Sequence, residues 1–423
     1  MRDGGRIDAA VSVLADMDAR HKPAHLALRG WGADARYAGA KDRAFVSGLV
    51  LDVLRRRGSL AWMMGEASDR ARTLGALRFV WGWTVERLAG AAAEQHGPGA
   101  LTEAELARLT APASLEDAPE WVRGDYPEWL DLALARVFGD ERATEGQAMA
   151  ARAPVDVRVN ALKGEAEHVL KALAPFEAEA LAFPPGAIRI AAPAASERAA
   201  PVEAAPAFER GWFEVQDAGS QAAAAAAGEI RGKQVLDFCA GGGGKTLALA
   251  AAMGNTGQLY AYDSDARRLA DTVKRSLRAG VRNLQVRSPI DPKALDGLDA
   301  KMDLVFVDSP CTGSGTWRRH PDAKWRLTPE QLARRMAEQD TVLGAAANFV
   351  RPGGRLIYVT CSLLAEENED RVVAFMAARP DFAAEPVALT GAEAWRTPGG
   401  YLRLTPRTAG TDGFFVATLR RAG

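Results

Sequence analysis

The sequence predicts a doubly wound α/β domain, preceded by a small α/β region and an all-helical N-terminal region. From about residue 221 onward, short apolar runs alternate with helical segments, the pattern of βαβ units. Several of these runs are continuously hydrophobic, as expected for parallel strands that are buried on both faces. The N-terminal region instead carries apolar residues at helical spacing and shows no strand alternation.

The first predicted domain spans residues 1–138 and is helical. In the segment KDRAFVSGLVLDVLRRR, the apolar positions that recur at helical spacing are Phe45, Val46, Leu49, Val50, Val53 and Leu54. A second helix is predicted from the spacing of Leu74, Leu77, Val80 and Trp81.

The second predicted domain spans residues 141–220 and the third spans 221–423. In the second, alternation at Val155, Val157 and Val159 predicts a strand, and EAEHVLKAL predicts a helix. The Ala- and Pro-rich stretch 191–208 predicts a long loop. In the third, the candidate strands are QVLDFC, QLYAYD, LQVRS, LVFVD, RLIYVT and FFVATL. Ligands of such sheets bind beyond the carboxyl ends of the strands.

Composition limits the function classes. The 423 residues include 53 Lys and Arg against 54 Asp and Glu, so any basic surface must be local. The start, MRDGGRIDAAV, is charged where a signal peptide is apolar, and no stretch is apolar enough to span a bilayer. Three scattered cysteines are too few for a disulfide framework or a zinc cluster. We therefore expect a cytoplasmic protein without a metal site.

The segment VLDFCAGGGGKTLALA predicts a strand, a glycine-rich turn and a helix. A phosphate loop would need glycine at position 239, which is Cys239, and a dinucleotide loop would need glycine at position 246, which is Thr246. A nucleoside-binding loop of the methyltransferase type remains. Asp263 ends the next strand and can accept hydrogen bonds from ribose hydroxyls, although it can also cap the following helix.

Two cysteines follow neighbouring predicted strands. Asp308 ends one strand, with Cys311 just beyond it, and the next strand ends at Thr360 and Cys361. Adjacent parallel strands would thus present two thiols and a carboxylate at one sheet edge. The alternative is that both cysteines are small buried hydrophobes.

The segment TWRRHPDAKWR mixes aromatic and cationic residues. Cations can meet phosphates and aromatic rings can stack on bases, so the segment is a candidate RNA contact. The alternative is a solvated charged loop with a core tryptophan. The residues concerned are Trp317, Arg318, Arg319, Lys324, Trp325 and Arg326.

These motifs together resemble the Sun/Nop family of RNA cytosine-C5 methyltransferases, and most closely its bacterial RsmB (Fmu) branch, which modifies small-subunit ribosomal RNA. The pieces that carry the resemblance, in the family's order, are DFCAGGGGKT, AYDSDARRL, VDSPCTGSGTWRRHPDAKW, YVTCSLLAEENE and DGFFVATLRR. VRVNALKG and FEVQDAGSQ extend it back to about residue 154, and KDRAFVSGLVLDVLRRRGSL resembles a NusB-like RNA-binding domain. The resemblance implies a Rossmann-like class I methyltransferase domain preceded by a small α/β RNA-recognition cap.

The resemblance also implies roles for individual residues. Cys361 corresponds to the nucleophile, Cys311 to the cysteine that assists release of the RNA, and Asp308 to the acid between cofactor and cytosine. The implied cofactor is S-adenosyl-L-methionine, held by Cys239, Ala240, Gly241, Gly242, Gly243, Gly244, Lys245, Asp263, Asp291 and Asp308. The implied partner is RNA, bound by a monomer through Arg158, Asn160, Arg318, Arg319, Lys324 and Arg326.

Two features of the sequence depart from the family pattern. The family loop usually reads Cys-Ala-Ala-Pro-Gly-Gly-Lys, whereas Gly241 and Gly242 replace its Ala-Pro in this chain, so more of the loop must be ordered on binding. The family also has an acid after the third strand, near the adenine. In this chain Ile290 takes that place and Asp291 follows one residue later.

Two other function classes stay open. One is a methyltransferase that acts on tRNA, DNA cytosine or a protein side chain; in the DNA enzymes the Pro-Cys thiol attacks, so the cysteine that forms the adduct discriminates. The other is a non-catalytic RNA-binding factor of ribosome assembly. That class predicts missing thiols, whereas both are present.

Overall fold

The computed structural model describes residues 1–197 and 200–423. It separates into a helical unit and an α/β unit. The helical unit comprises residues 1–153, 192–197 and 317–327 of the described chain, and the α/β unit comprises 154–191, 200–316 and 328–423. Residues 198 and 199, inside the predicted Ala- and Pro-rich loop, lie outside the described residues.

Helices alone precede the strand that begins at Val155, and helices and strands are interspersed after it. The α-helices are α1 (Asp3–Arg20), α2 (Ala24–Asp34), α3 (Ala40–Arg55), α4 (Arg57–Met64), α5 (Asp69–Gly75), α6 (Val85–Ala92), α7 (Glu103–Thr110), α8 (Glu120–Arg123), α9 (Asp131–Phe138), α10 (Arg142–Met149), α11 (Ala166–Leu173), α12 (Pro206–Glu209), α13 (Ala218–Ala225), α14 (Gly244–Met253), α15 (Ala266–Ala279), α16 (Pro321–Arg326), α17 (Pro329–Ala347), α18 (Glu369–Ala378) and α19 (Pro406–Ala409). The strands are β1 (Val155–Val159), β2 (Glu179–Ala180), β3 (Ala187–Ile190), β4 (Phe213–Val215), β5 (Gln234–Asp237), β6 (Gln258–Tyr262), β7 (Leu284–Arg287), β8 (Met302–Asp308), β9 (Val350–Thr360), β10 (Phe382–Glu385), β11 (Leu402–Leu404) and β12 (Phe414–Arg421).

The helical unit is built around α3. Its predicted apolar positions are all buried, including Val46, Leu49 and Val50, because their spacing places them on one face of the helix. The second predicted helix corresponds to α5 and to the π-helical turn Ala76–Val80 that continues it. The expected all-helical N-terminal region is therefore confirmed.

Helix α16 closes the carboxyl end of α3 within the helical unit. The last carbonyls of a helix have no partner inside the helix. Lys324 Nζ donates to the Arg55 carbonyl at 2.7 Å, and Trp325 Nε1 donates to the Leu54 carbonyl at 2.6 Å. These two donors satisfy carbonyls at the end of α3 and fix α16 in place.

The small α/β region contains an antiparallel sheet of order β2-β3-β1-β4. Its apolar side chains pack with those of α11, because alternate residues of a strand point to the same face. The core includes Val157, Val169, Leu173, Ile188 and Phe213.

The large sheet has the order β10-β12-β9-β8-β5-β6-β7, with β11 paired to β12. Strands β5 to β9 are parallel, and β12 runs antiparallel to β9. The six predicted strands correspond to β5, β6, β7, β8, β9 and β12, so the doubly wound domain is confirmed. Strands β10 and β11 were not predicted.

The strand order places a topological switch point between β5 and β8. From β5 the chain proceeds outward through β6 to β7, and from β8 it proceeds in the opposite direction to β9. Loops at a switch point diverge and leave a crevice at the carboxyl ends of the strands. In the described part of the chain, no helix is both long enough and apolar enough to cross a bilayer.

Candidate active site

The carboxyl edge of the large sheet encloses a cavity of about 360 Å³. The ends of β5, β6, β8 and β9 contribute to it, and α15 and α17 add side chains. Predicted site residues that line the cavity are Cys239, Asp263, Asp308, Cys311 and Cys361; the other lining residues are Phe238, Tyr262, Ser264, Arg268, Ser309, Pro310, Arg335 and Val342. The structure thus brings the two cysteines and the carboxylate together.

The two cysteines contact each other. Their Sγ atoms lie 3.3 Å apart, and both are partly buried free thiols. The hydrogen bond to the Cys361 sulfur, together with burial, raises the pKa of Cys311 well above its ordinary value. Cys311 is therefore held as a protonated thiol beside Cys361.

Lys245 pairs with Asp308, which lines the cavity. Lys245 Nζ donates to the Asp308 carboxylate at 2.8 Å and also lies 5.1 Å from the centre of the Phe414 ring. Burial acts to lower the pKa of Lys245, but the charge of Asp308 and its hydrogen bond outweigh burial, so the pKa is raised. A negative charge on Cys361 raises the pKa further. Lys245 therefore stays a cation beside Asp308.

The glycine loop adopts a tight turn between β5 and α14. Gly243 precedes α14 with φ +84°, a conformation that favours glycine. A Cβ at Gly243 would lie 2.8 Å from Thr272 Oγ1. The turn is closed by a hydrogen bond from the Gly243 amide to the Ala240 carbonyl at 2.9 Å. The turn leads directly into α14, which begins at Gly244.

Asp263 holds this loop from β6. One carboxylate oxygen accepts from the Gly241 amide at 2.8 Å, and the other accepts from the Asp265 amide at 2.8 Å. The cap of α15 is Asp265, whose side chain accepts from the Arg267 amide at 3.0 Å. Asp265, and not Asp263, therefore caps α15, and Asp263 instead holds the glycine loop.

Known proteins are similar to this chain in sequence and in fold. A family model described as 16S rRNA methyltransferase RsmB/F matches residues 228–420, and the ferredoxin-like domain model of RsmF/B-like methyltransferases matches residues 126–197. The ribosomal RNA small subunit methyltransferase B of Citrobacter koseri is 30% identical over 408 residues, which cover 90% of this chain and 91% of that protein. The chain belongs to the RsmB/F methyltransferase family.

Two further likenesses agree with this assignment. The ribosomal RNA small subunit methyltransferase B of Klebsiella pneumoniae subsp. pneumoniae is 31% identical, over 90% of each chain. A solved methyltransferase homologue from Pyrococcus horikoshii is 26% identical, with a TM-score of 0.60 over 71% of this chain and 97% of that one. The predicted family, the Rossmann-like class I methyltransferase fold and S-adenosyl-L-methionine as the cofactor are thus confirmed.

Most predicted RNA-binding residues are internal to their units. Arg158 is buried and donates to Gln216 Oε1 at 2.7 Å, and burial lowers its pKa to about 10. Asn160 donates to the carbonyls of Gly211 and Ala279 at 2.7 and 2.9 Å. In this member of the RsmB/F family, the two side chains connect the small sheet to neighbouring segments. They would have to break these hydrogen bonds to contact RNA.

The segment 317–327 shows the same tendency. Trp317, Arg318 and Lys324 are buried, and burial lowers the pKa of Lys324 to about 7. Arg319 is half-buried and Arg326 is exposed. Of the four cations, Arg319 and Arg326 are not buried, and their contact with RNA stays a prediction.

Asp291 lies outside the cavity lining. It is exposed, and its carboxylate accepts from the Lys293 amide at 2.9 Å, while Ile290 is 81% exposed. The structure gives neither residue a place at the cavity, so the adenine contact stays a prediction.

The sequence reasoning missed Asp237, the last residue of β5. Its carboxylate accepts from Thr246 Oγ1 at 2.6 Å, and its other oxygen has no partner among the described residues. Burial raises the pKa of Asp237 to about 7, against the effect of the Thr246 hydrogen bond. Its position at the end of an apolar run next to the glycine loop was the available signal.

Glu367 was missed as well. Its carboxylate accepts from the Thr312 amide at 2.7 Å, from Thr312 Oγ1 at 2.5 Å and from Gln339 Nε2 at 3.0 Å. Burial raises the pKa of Glu367, against these hydrogen bonds. A second tie joins the two cysteine loops, since the hydroxyls of Ser314 and Ser362 lie 3.0 Å apart. These bonds fix the backbone on both sides of the thiol pair.

Proposed function

We propose that this protein methylates carbon 5 of a cytosine in 16S ribosomal RNA through a covalent adduct between Cys361 and carbon 6 of that base. The observation that carries the proposal is the pair of free thiols, 3.3 Å apart, in one cavity with Asp308. The names of the curated relatives support the ribosomal RNA substrate.

The cavity residues fit S-adenosyl-L-methionine by their chemistry. The carboxylates of Asp263 and Asp308 are acceptors for ribose hydroxyls or an ammonium group, and the guanidinium groups of Arg268 and Arg335 complement a carboxylate. The glycine loop lets a ligand approach its backbone closely. When bound, this cofactor supplies an electrophilic methyl group on a sulfonium.

The acceptor chemistry explains the need for a thiolate. Carbon 5 of cytosine is a poor nucleophile, but addition of the Cys361 thiolate to carbon 6 makes carbon 5 enamine-like and nucleophilic. The thiolate is the reactive form of cysteine, and the charge of the Lys245 ammonium attracts negative charge on Cys361. Asp308, hydrogen-bonded to Lys245, keeps that cation in place.

Release of the methylated RNA requires loss of the carbon 5 proton and cleavage of the bond to Cys361. After methylation, a base removes the proton of carbon 5, the bond from Cys361 sulfur to carbon 6 breaks with its electrons returning to sulfur, and the double bond of the ring is restored. Cys311, held as a thiol, donates a hydrogen bond to the departing sulfur across the 3.3 Å contact and so stabilises the negative charge that forms on it. This role assigns Cys311 to release and Cys361 to attack.

The RNA contacts follow from exposure. We assign phosphate contacts to Arg319 and Arg326, whose side chains reach solvent, and internal ties to Arg158, Asn160, Arg318 and Lys324. The three free thiols suit a reducing cytoplasm, in which the protein acts on RNA as a monomer.

Bisulfite mapping of ribosomal and transfer RNA from cells with and without this protein tests the proposal. We expect one 16S cytosine to lose its protection when the protein is absent, and purified protein to restore it on naked RNA or on assembled subunits. A protected cytosine lost from tRNA, with 16S rRNA unchanged, would instead favour the tRNA alternative.

A further inference from the structure

Side chains of α15 donate hydrogen bonds to the carbonyl groups of Gly241 and Gly242, the two glycines that replace the family's Ala-Pro. Thr272 Oγ1 donates to the Gly241 carbonyl at 2.9 Å, and Arg275 Nη1 donates to the Gly242 carbonyl at 2.6 Å. Together with the bond from the Gly241 amide to Asp263, these contacts restrain both glycines of the loop.

Arg275 is itself fixed by a buried carboxylate. Its Nε and Nη2 atoms donate to Glu214 Oε2 at 3.2 and 2.9 Å, and Glu214 is 1% exposed. Arg278 donates to the other oxygen of Glu214 at 2.5 Å. Glu214 lies on β4 of the small sheet, so the guanidinium of Arg275 connects that sheet to the glycine loop. Arg278 shares the carboxylate but makes no hydrogen bond to the loop.

A Gly-Gly pair loses more conformational freedom on ordering than an Ala-Pro pair does. The contacts from α15 counter this loss, because a charge-assisted hydrogen bond to a carbonyl holds the peptide in one orientation. Gly242 has room for a side chain, since the nearest atom to an added Cβ is Arg275 Nη1 at 3.7 Å. In this chain, hydrogen bonds from α15 therefore restrict the conformation of the loop, whereas proline restricts it in the usual family sequence.

We propose that Arg275, oriented by Glu214, is a positioning residue that pre-organises the Gly241–Gly242 turn for S-adenosyl-L-methionine. This inference rests on the proposed cofactor role of the glycine loop, and not on the cytosine chemistry. Arg275 does not line the cavity, so it acts through the Gly242 carbonyl rather than by touching the cofactor.

Calorimetric binding of S-adenosyl-L-methionine to the full chain tests the proposal. Arg275→Met should raise the Kd about tenfold, the effect of one lost charge-assisted hydrogen bond. Arg278→Met is the matched control and should change the Kd less than about twofold. In the cofactor-free protein, Arg275→Met should also speed amide hydrogen exchange in the peptide around residues 240–246, which Arg278→Met should leave unchanged.

A rescue variant separates loop order from general damage. Arg275→Met combined with Gly242→Pro, which restores the family's proline, should recover most of the lost affinity. An unchanged Kd in folded Arg275→Met, an equal loss in Arg278→Met, or no recovery with proline would overturn the proposal. Asp263→Ala tests the cofactor site itself. If this variant binds S-adenosyl-L-methionine with an unchanged Kd, the cofactor assignment of the loop fails. If Asp263→Ala binds it more weakly while Arg275→Met binds it as the wild type does, only the role of Arg275 is rejected.

Discussion

At the scale of residues, the two cysteines contact each other but have different surroundings. Cys311 is held by the hydrogen bond to the Cys361 sulfur and by burial, both of which raise its pKa, whereas Cys361 lies close enough to Lys245 for its charge to raise the pKa of that amine. A protonated thiol can donate a hydrogen bond and a thiolate can attack carbon. The roles that we propose, release by Cys311 and attack by Cys361, rest on this difference in surroundings.

Substitution of each cysteine should therefore have opposite effects on the adduct. Cys361→Ala should abolish methylation and any covalent complex with RNA, whereas Cys311→Ala should trap the complex and slow turnover by at least about a hundredfold. Denaturing gels with labelled RNA report both species. Clean turnover by Cys311→Ala would remove its role in release.

Asp237 predicts a pH dependence of stability. Its pKa is raised from 3.8 to about 7 in the folded state, so the folded protein binds this proton more tightly than the unfolded chain does. Its contribution to the free energy of unfolding is fully present below about pH 4 and is lost as the pH rises to about 7, by about 4 kcal/mol at most. Asp237→Asn, which keeps an acceptor for Thr246, should gain stability relative to the wild type between about pH 5 and 8 in urea titrations. Parallel curves for the two proteins would contradict this assignment.

At the scale of elements, the site depends on how each strand ends. The turn from β5 into α14 requires a left-handed residue at Gly243, and the loops after β8 and β9 are joined through Ser314 and Ser362. Backbone geometry and buried hydrogen bonds thus fix the positions of the two thiols. Pre-organisation of this kind lowers the cost of reaching the reactive arrangement.

Alanine substitutions at the neighbouring residues Gly243 and Gly244 should have different effects on the stability of the protein. At Gly243, Gly243→Ala would force a positive φ on alanine and bring its Cβ to 3.1 Å from Thr272 Cα, so we expect a loss of about 1–3 kcal/mol in unfolding free energy. Gly244→Ala is the matched control, because an added Cβ there meets nothing within 4 Å and the residue begins α14. Equal stability of the two variants in urea would contradict the strain at Gly243.

At the scale of the whole molecule, local patterns predicted the elements and long-range contacts decided the burial of charges. The six predicted strands are local apolar runs, whereas β10 is a short, partly exposed FAAE segment that exists through its pairing with β12. Lys324 was predicted to be a surface cation, yet it donates to a carbonyl 269 residues away. Because no local pattern encodes such a partner, the sequence could not show that this lysine is internal.

The burial of Lys324 makes a second prediction about pH. Burial lowers the pKa of Lys324 from 10.5 to about 7, so the unfolded chain binds this proton more tightly and stability should rise between about pH 7 and 10. Lys324→Met should flatten this rise in urea titrations from about pH 7 to 9.5. Arg326→Met, on the same helix but exposed, should leave it intact; a flattened curve in Arg326→Met would contradict the explanation.

Attack of Cys361 on carbon 6 of a cytosine in RNA is the central step proposed for this protein. The most direct measurement is mass spectrometry of peptides from the protein after reaction with 16S rRNA carrying 5-fluorocytidine, which has no carbon 5 proton to lose and therefore retains the adduct. We expect a methylated fluorocytidine on the peptide that contains Cys361. The same nucleotide on the peptide that contains Cys311, or no adduct in a protein that still methylates unmodified RNA, would contradict it.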